Sequence, residues 1–317
     1  MILFFSKGPS LRPRLLFSAL AFVVVGVGCA SPSDETAPAS ASLEWNAQSF
    51  HEETSSTHLW IVDRALDLLE HQGDADRTRA FREMMSSEPC QRAWQQGLLD
   101  ADFLAAYNDG WSDTKPGDRE AKILLSGATW KSHFYDPDTE KNYFDETSPT
   151  ARTEAEKHLG MGSKAWSSRD TKTACYELGL SLHYMTDVTQ PMHAVNFTAI
   201  SRPFGLHTDF EEYAMTVQDR FVLEATTRVD VSEDASPDSV FVAAAHTSKS
   251  LWPATIGAIQ ANFDEDGKEC DRGAFKADKE CWQGDPALDV ELGKALTEAQ
   301  KSTARYLYAV APLFPRR

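Results

Sequence analysis

The chain has 317 residues, enough for one large domain, with apolar and charged content ordinary for a globular protein. Its formal net charge is −17, from 48 acids against 31 Lys and Arg. That balance excludes a sequence-independent nucleic-acid binder, which needs a basic face, and purely electrostatic attraction to anionic lipid.

The N-terminus reads as a targeting segment. Lys7, Arg12 and Arg14 precede the apolar run Leu15–Val27, which is too short for a comfortable membrane span. Gly28-Cys29-Ala30 offers a lipoprotein-type cleavage site, with Gly26 a weak residue three before the cysteine. Ordinary secretion and a lipoprotein-anchored precursor are both compatible with it. Residues 1–28 are therefore assigned as a signal peptide, and residues 29–44, rich in Ser, Ala and Pro, as a disordered linker or propeptide. From Trp45 onward nothing looks like a linker, and no second long apolar stretch appears, so residues 45–317 read as one domain that does not span a membrane. Cys90 and Cys175 look isolated, and Cys270 and Cys281 form the plausible local disulfide. No C-x-x-C occurs, which argues against a thiolate zinc site.

Helical patterning dominates the rest. His58–Glu70 places Leu59, Val62, Ala65, Leu66 and Leu69 on one stripe, with Thr57 as its expected N-cap. Asp74–Met85 and Glu88–Asp102 read as helices, Leu104–Lys131 as loop with short helical pieces, and His133–Asp138 as extended or turn. Thr150–Ser168, Thr171–Thr186, Thr208–Glu224, Ser239–Phe263 and Asp289–Ala311 follow as helices, with a loop over Thr198–Leu206. Strand alternation is nearly absent, so the fold class is all-α. Asn262–Gly267 begins like a calcium loop, but position twelve is Gly273 rather than a bidentate Glu, and a solvated acidic turn is the better reading.

The chemistry concentrates in Leu182–Phe197. His183 and Asp187 are four apart, on one helix face, and Pro191 is expected to end or kink the helix after Gln190, sending His193 off at a new angle. A buried, hydrogen-bonded core histidine is the plain reading of HxxxD taken alone. His207 and Glu211 repeat the spacing four apart, and with His193 they make a two-His, one-carboxylate set of the catalytic-zinc type. Five of the nine histidines are thus candidates, counting His58 and His133; His51, His71, His158 and His246 read as surface or packing residues.

Here the chain from Trp45 resembles the bacterial zinc-dependent phospholipase C family. The residues carrying the resemblance are Trp45 with His58 thirteen residues on, Asp102, His133 in an S-H-F-Y-D-P-D turn, the H-x-x-x-D-x-x-x-Q-P-M-H run from His183 to His193, and the His207/Glu211 pair. The likeness runs to about Tyr213 and is patchier beyond. It implies a single helical domain, about three zinc ions and a phospholipid substrate met at a membrane surface. By resemblance, Asp102, His133, His183 and Asp187 surround the first zinc, and His193, His207 and Glu211 hold the second. The amine and carbonyl of Trp45 with His58 hold the third, and Asp187 bridges first and third. Asp102 is ligand, general base or both. The N-terminal ligand requires cleavage after Glu44, as in a zymogen. The head-group pocket maps onto Gln48, Phe103 and Trp130; the aromatics suit a quaternary ammonium, but Gln48 stands where the family has an acid, which widens the expected head-group range. Packing is the alternative role for Phe103 and Trp130. The chain ends soon after its last helix, so the C-terminal lipid-binding β-domain of some toxin relatives is expected to be absent. The expectation is a secreted, monomeric phospholipase C. The alternatives are a three-zinc single-strand nuclease or 3′-nucleotidase, whose first His stands much closer to the Trp, and a non-catalytic zinc-binding surface protein.

Overall fold

Helix α5 (Thr171–Asp187) runs through the interior, with every residue from Leu178 to Asp187 buried. It can do so because its neighbours approach closely on several sides. A Cβ at Gly97 would land on the Tyr176 carbonyl, and one at Gly179 on the Trp94 carbonyl, so α3 (Glu88–Asn108) and α5 meet backbone to backbone through these two glycines. Gly179, a weak helix former in isolation, is thus the residue that permits the crossing. Close by, Cys90 and Cys175 form a disulfide between the same two helices, with Cα atoms 5.3 Å apart. These cysteines looked isolated in sequence because 85 residues separate them. Cys270 and Cys281 lie outside the described residues, as does the acidic turn after Asn262.

The computed structural model describes residues 56–72, 75–108, 130–201, 205–262 and 282–316, all within the unit Ser40–Arg317. Besides α3 and α5, its helices are α1 (Thr57–Leu69), α2 (Ala75–Ser86), α4 (Ala151–Ser167), the short α6 (Pro191–Ala194), α7 (Leu206–Val217), α8 (Pro237–Gln260) and α9 (Pro286–Val310), with single 3₁₀ turns at Lys131–His133, Gln218–Phe221 and Ala311–Leu313. There is no strand among the described residues; Asp136 and Lys141 make one isolated bridge. The all-α expectation holds. Among the described residues no helix is long and apolar enough to cross a membrane.

Several boundaries move, each for a local reason. Ser56, not Thr57, caps α1, its hydroxyl accepting from the Leu59 N–H. The third helix continues past Asp102 to Asn108, so Asp102 sits within a helix rather than at its end. Helix α5 stops at Asp187, and Pro191 opens α6 instead of merely ending α5, because Gln190 caps the new helix at the Met192 N–H. Helix α7 begins at Leu206 behind Gly205, whose left-handed φ of 81° makes the turn into it, and ends at Val217 rather than Glu224. Ser236 and Asp285 cap α8 and α9, each with proline at the first helical position. Two apolar clusters result. One joins α1–α5 to α8 and the end of α9; the other gathers Trp60, Met192, α7, Trp282 and the start of α9. The stretch Leu182–Phe210 passes from the first to the second, and His183, Asp187, His193 and His207 lie along that passage.

Candidate metal centre

His58, Asp102, His133, His183, Asp187, His193, His207 and Glu211 are each at most 1% exposed. Burying so many ionisable groups is unfavourable unless they pair or hold a cation. The fold brings them into three groups whose candidate ligand atoms lie within 4.8 Å of one another: His58–His183–Asp187, Asp102–His133–His183, and His193–His207–Glu211. His183 belongs to two of them. Trp45 and Gln48 lie outside the described residues. Phe103 follows Asp102 on α3, and Trp130 immediately precedes the 3₁₀ turn that carries His133. Trp130 is half-buried, holds a left-handed φ of 47°, and its indole Nε1 has no hydrogen-bond partner.

The third group forms a near-equilateral triangle. His193 Nε2 and His207 Nε2 are 3.2 Å apart, and Glu211 Oε1 lies 3.2 and 2.8 Å from them. A tetrahedral zinc with ligands at about 2.0–2.1 Å spaces those ligands about 3.3 Å apart. The outer sides of the rings fix this aim. His207 Nδ1 donates to the Phe197 carbonyl at 2.5 Å and His193 Nδ1 to the His133 carbonyl at 2.9 Å. With those N–H groups committed to carbonyls, each neutral ring turns a bare Nε2 inward. Two bare nitrogens facing at 3.2 Å repel unless a cation or proton lies between them. Gln190 completes the set: its side chain accepts from the Met192 N–H, capping α6, and donates to Glu211 Oε1 at 3.1 Å. The Phe134 ring lies parallel to His193 at 4.7 Å and backs it from one face.

The other two groups share α5. His183 Nδ1 donates to the Leu98 carbonyl at 2.7 Å, and His58 Nδ1 donates to Thr186 Oγ1 at 2.6 Å; the Thr186 hydroxyl spends its own proton on the Leu182 and His183 carbonyls. Both rings again turn Nε2 inward. His133 differs, presenting Nδ1: it lies 3.1 Å from His183 Nε2, 2.9 Å from Asp187 Oδ2 and 3.7 Å from Asp102 Oδ1. Asp187 stands between groups, 3.5 Å from His58 Nε2 and from His183 Nε2. Both Asp102 oxygens, Asp187 Oδ1 and Glu211 Oε2 are buried without a hydrogen bond.

Charge balance points the same way. Burial raises Asp187 to about 6, against the pull of His183 and His193. Burial would lower His183, but Asp187 and Asp102 raise it to about 9. An acid pushed up beside a base pulled up marks a site short of positive charge. Glu211 behaves otherwise: burial would raise it, but the close imidazoles of His207 and His193 hold it at about 2. The imidazoles, carboxylates and tight donor spacing suit zinc, and these residues fit it.

Not every histidine joins the centre. His158, expected at the surface or in packing, is buried on α4 and ion-paired, with Glu177 at 2.7 Å and Glu154 at 3.6 Å. His246 is 52% exposed beside Asp138. Sequence reasoning left Gln190, Thr186 and Phe134 without individual roles. The available signals were Gln190 three before His193, Thr186 one turn after His183, and Phe134 next to His133.

A helical domain with buried imidazole and carboxylate groups at coordination spacing defines a metal-binding class of protein. Residues 57–250 match the family model for zinc dependent phospholipase C, and the chain belongs to that family. It is similar to a phospholipase C of Bacillus cereus, 28% identical over 94% of this chain and 96% of that protein. A second phospholipase C of that species is 29% identical over 83% of each chain, and one of Listeria monocytogenes 30% identical over 61% of this chain and 59% of its own length. Among solved structures, the alpha toxin from Clostridium absonum shares the fold at a TM-score of 0.55 and 22% identity, covering 84% of this chain, which spans 65% of the toxin. The protein is an enzyme of the phospholipase C class, a zinc-dependent phosphoric diester hydrolase.

Proposed function

We propose that the enzyme hydrolyses the glycerophosphodiester bond of phosphatidylcholine-like phospholipids, over a broad head-group range, to diacylglycerol and a phosphorylated head group. The observation that carries this reading is the convergence of buried imidazole nitrogens and carboxylate oxygens in three groups at coordination spacing. About three zinc ions fit that set: one with Asp102, His133, His183 and Asp187, one with His193, His207 and Glu211, and one with His58 and the amine and carbonyl of Trp45, Asp187 being shared. When bound, zinc lowers the pKa of water towards ~7 and offsets the charge of the phosphodiester. Asp102, buried with both oxygens free of hydrogen bonds, is placed to hold a ligand position or to take the proton of the attacking water. His58, His183, His193 and His207 are held in one tautomer by their outer partners. Trp130, with Phe103, favours a quaternary ammonium, and Gln48 in place of an acid relaxes the demand for that head group.

In this reading residues 1–28 direct export, residues 29–44 are removed, and the mature monomer is secreted and begins at Trp45. The test is to assay the mature chain on phosphatidylcholine, phosphatidylethanolamine and single-stranded DNA, with zinc counted after dialysis. Hydrolysis of both lipids, inactivity on DNA and about three zinc ions are expected. One zinc or none in an active enzyme overturns the metal assignment, and cleavage of DNA in preference to lipid overturns the substrate.

A further inference from the structure

We propose that the rim of the centre is a docking surface for a zwitterionic phospholipid bilayer, with Ile200 and Phe144 as the side chains that enter it. The inference rests on the phospholipase reading and adds where the lipid surface meets the protein.

Six large apolar side chains are exposed among the described residues. Met161, Val222, Val290 and Leu313 are scattered, and single exposed apolar residues need no explanation. Ile200, 75% exposed, and Phe144, 52% exposed, are different, because each is carried on a segment that leads directly to candidate metal ligands. Ile200 sits in a turn between His193 and His207. The Ser201 N–H donates to the Thr198 carbonyl at 2.8 Å, the Thr198 N–H to Ser201 Oγ at 2.9 Å, and the Gly205 N–H to the Ala199 carbonyl at 3.2 Å. Phe197, just before this turn, holds His207 through its carbonyl and packs on Trp252 at 5.0 Å. Phe144 is the outer end of a series of rings. It lies 4.7 Å from Tyr143, which lies 4.9 Å from Phe134, which lies parallel to His193 at 4.7 Å. The two segments are joined where Asn196 Nδ2 donates to the Lys141 carbonyl at 3.2 Å. The backbone around both apolar side chains is therefore already ordered, and inserting them costs little conformational entropy. Trp252 beside Phe197, half-buried, is of the type that suits a membrane–water interface.

Charge selects the kind of bilayer. Between residues 131 and 146 there are five acids, and each has a cation against it: Glu146 has Lys131 at 2.8 Å, Asp145 has Lys141 at 2.7 Å, Asp136 and Asp138 share Lys249 at 2.6 and 2.8 Å, and Glu140 has Arg152 at 3.2 Å. The Thr198–Ser201 turn carries no charge. The cations of this face are thus spent on ion pairs, so it has little with which to hold an anionic surface, which the chain charge of −17 opposes, while a zwitterionic surface lets apolar insertion act.

The test compares the wild-type enzyme with an F144S/I200S double variant, and with V290S as a control on α9. Each is assayed on short-chain phosphatidylcholine below its micelle concentration and on long-chain phosphatidylcholine vesicles, and its insertion into a phosphatidylcholine monolayer is recorded. The double variant should lose at least ~10-fold in the ratio of vesicle to monomer rate and insert at lower surface pressure, with V290S matching wild type. Mixing phosphatidylglycerol into the vesicles should slow the wild-type enzyme. An unchanged ratio, an equal fall on both substrates, or stimulation by phosphatidylglycerol overturns the docking surface. A wild-type enzyme inactive on both lipids overturns the phospholipase reading instead.

Discussion

The two ends of the ligand-bearing passage solve the same problem in opposite ways. In the His193–His207–Glu211 group one carboxylate is shared by two imidazoles at 2.8 and 3.2 Å, Gln190 supplies another hydrogen bond, and Glu211 is held at about 2 despite its burial. The Asp102–His133–His183–Asp187 side draws on α3, a 3₁₀ turn and α5, and its two carboxylates crowd the same imidazoles: Asp187 lies 2.9 Å from His133 and 3.5 Å from His183, and Asp102 also lies 3.5 Å from His183; Asp187 is driven up to about 6 by burial. One half is internally balanced and the other is in electrostatic deficit. The half in deficit should depend more strongly on bound metal and respond more sharply to a lost charge.

The sharpest way to break that contrast is to remove one charge from each half. Asp187→Asn keeps the size but removes the charge shared by two groups. We predict loss of a zinc ion and a rate drop of at least ~100-fold, and a smaller drop for Glu211→Gln, whose carboxylate serves one group only. Turnover and zinc content measured together decide it, and near wild-type values for Asp187→Asn would remove the bridging role. A second experiment adds one residue ahead of Trp45, turning a proposed amine ligand into an amide with no lone pair for zinc at neutral pH. The extended chain should hold about one zinc fewer and hydrolyse lipid far more slowly at unchanged helical content by circular dichroism. Equal zinc and equal activity would take the N-terminus out of the centre.

Smaller effects probe the balanced half. Gln190→Ala removes the contact to Glu211 and the cap of α6 together. We expect metal retention at the His193 group to weaken about tenfold, read by competition with a chromophoric chelator, and unchanged retention would leave Gln190 a cap only. The least effect is expected at His158, a buried histidine whose partners are acids of the scaffold. Burial would lower its pKa, but Glu154 and Glu177 raise it. A raised folded-state pKa means stability fully present below the unfolded value of about 6.5 and lost as pH rises through the folded value. Glu154 runs the other way: burial would raise it, but bonds from His158 and Lys157 hold it down, so its contribution fades in acid. The Tm gap between wild type and His158→Gln should therefore be widest at mildly acidic pH and narrow towards pH 9. A gap independent of pH would make His158 a packing residue alone.

How far sequence reached follows the same contrast. His183/Asp187 and His207/Glu211 were legible because one turn of helix sets each pair, and His193 because the proline before it forces a new direction. Asp102 and His133 were placed only by family resemblance, since no local period links α3 to a 3₁₀ turn thirty residues on. The all-α class was readable from helical periodicity and the scarcity of strand alternation. Helix ends were less so: Ser56 and Gln190 cap helices through single side-chain bonds that composition does not announce. The Cys90–Cys175 pair escaped because spacing along the chain carries no information about two helices packed through Gly97 and Gly179.

That crosslink also ties the proposed export to stability. A reducing cytosol keeps such thiols apart, whereas an oxidising compartment closes them. In the reduced chain, the helices bearing Cys90 and Cys175 must find each other by packing alone. Once oxidised, a loop of 85 residues is closed, worth roughly 4–5 kcal/mol in the chain-entropy picture. Under the export proposed above, the chain would gain its full resistance to unfolding only in the oxidising compartment. A preparation recovered from a reducing cytoplasm is expected to carry free thiols and a lower Tm than the same chain matured under oxidising conditions.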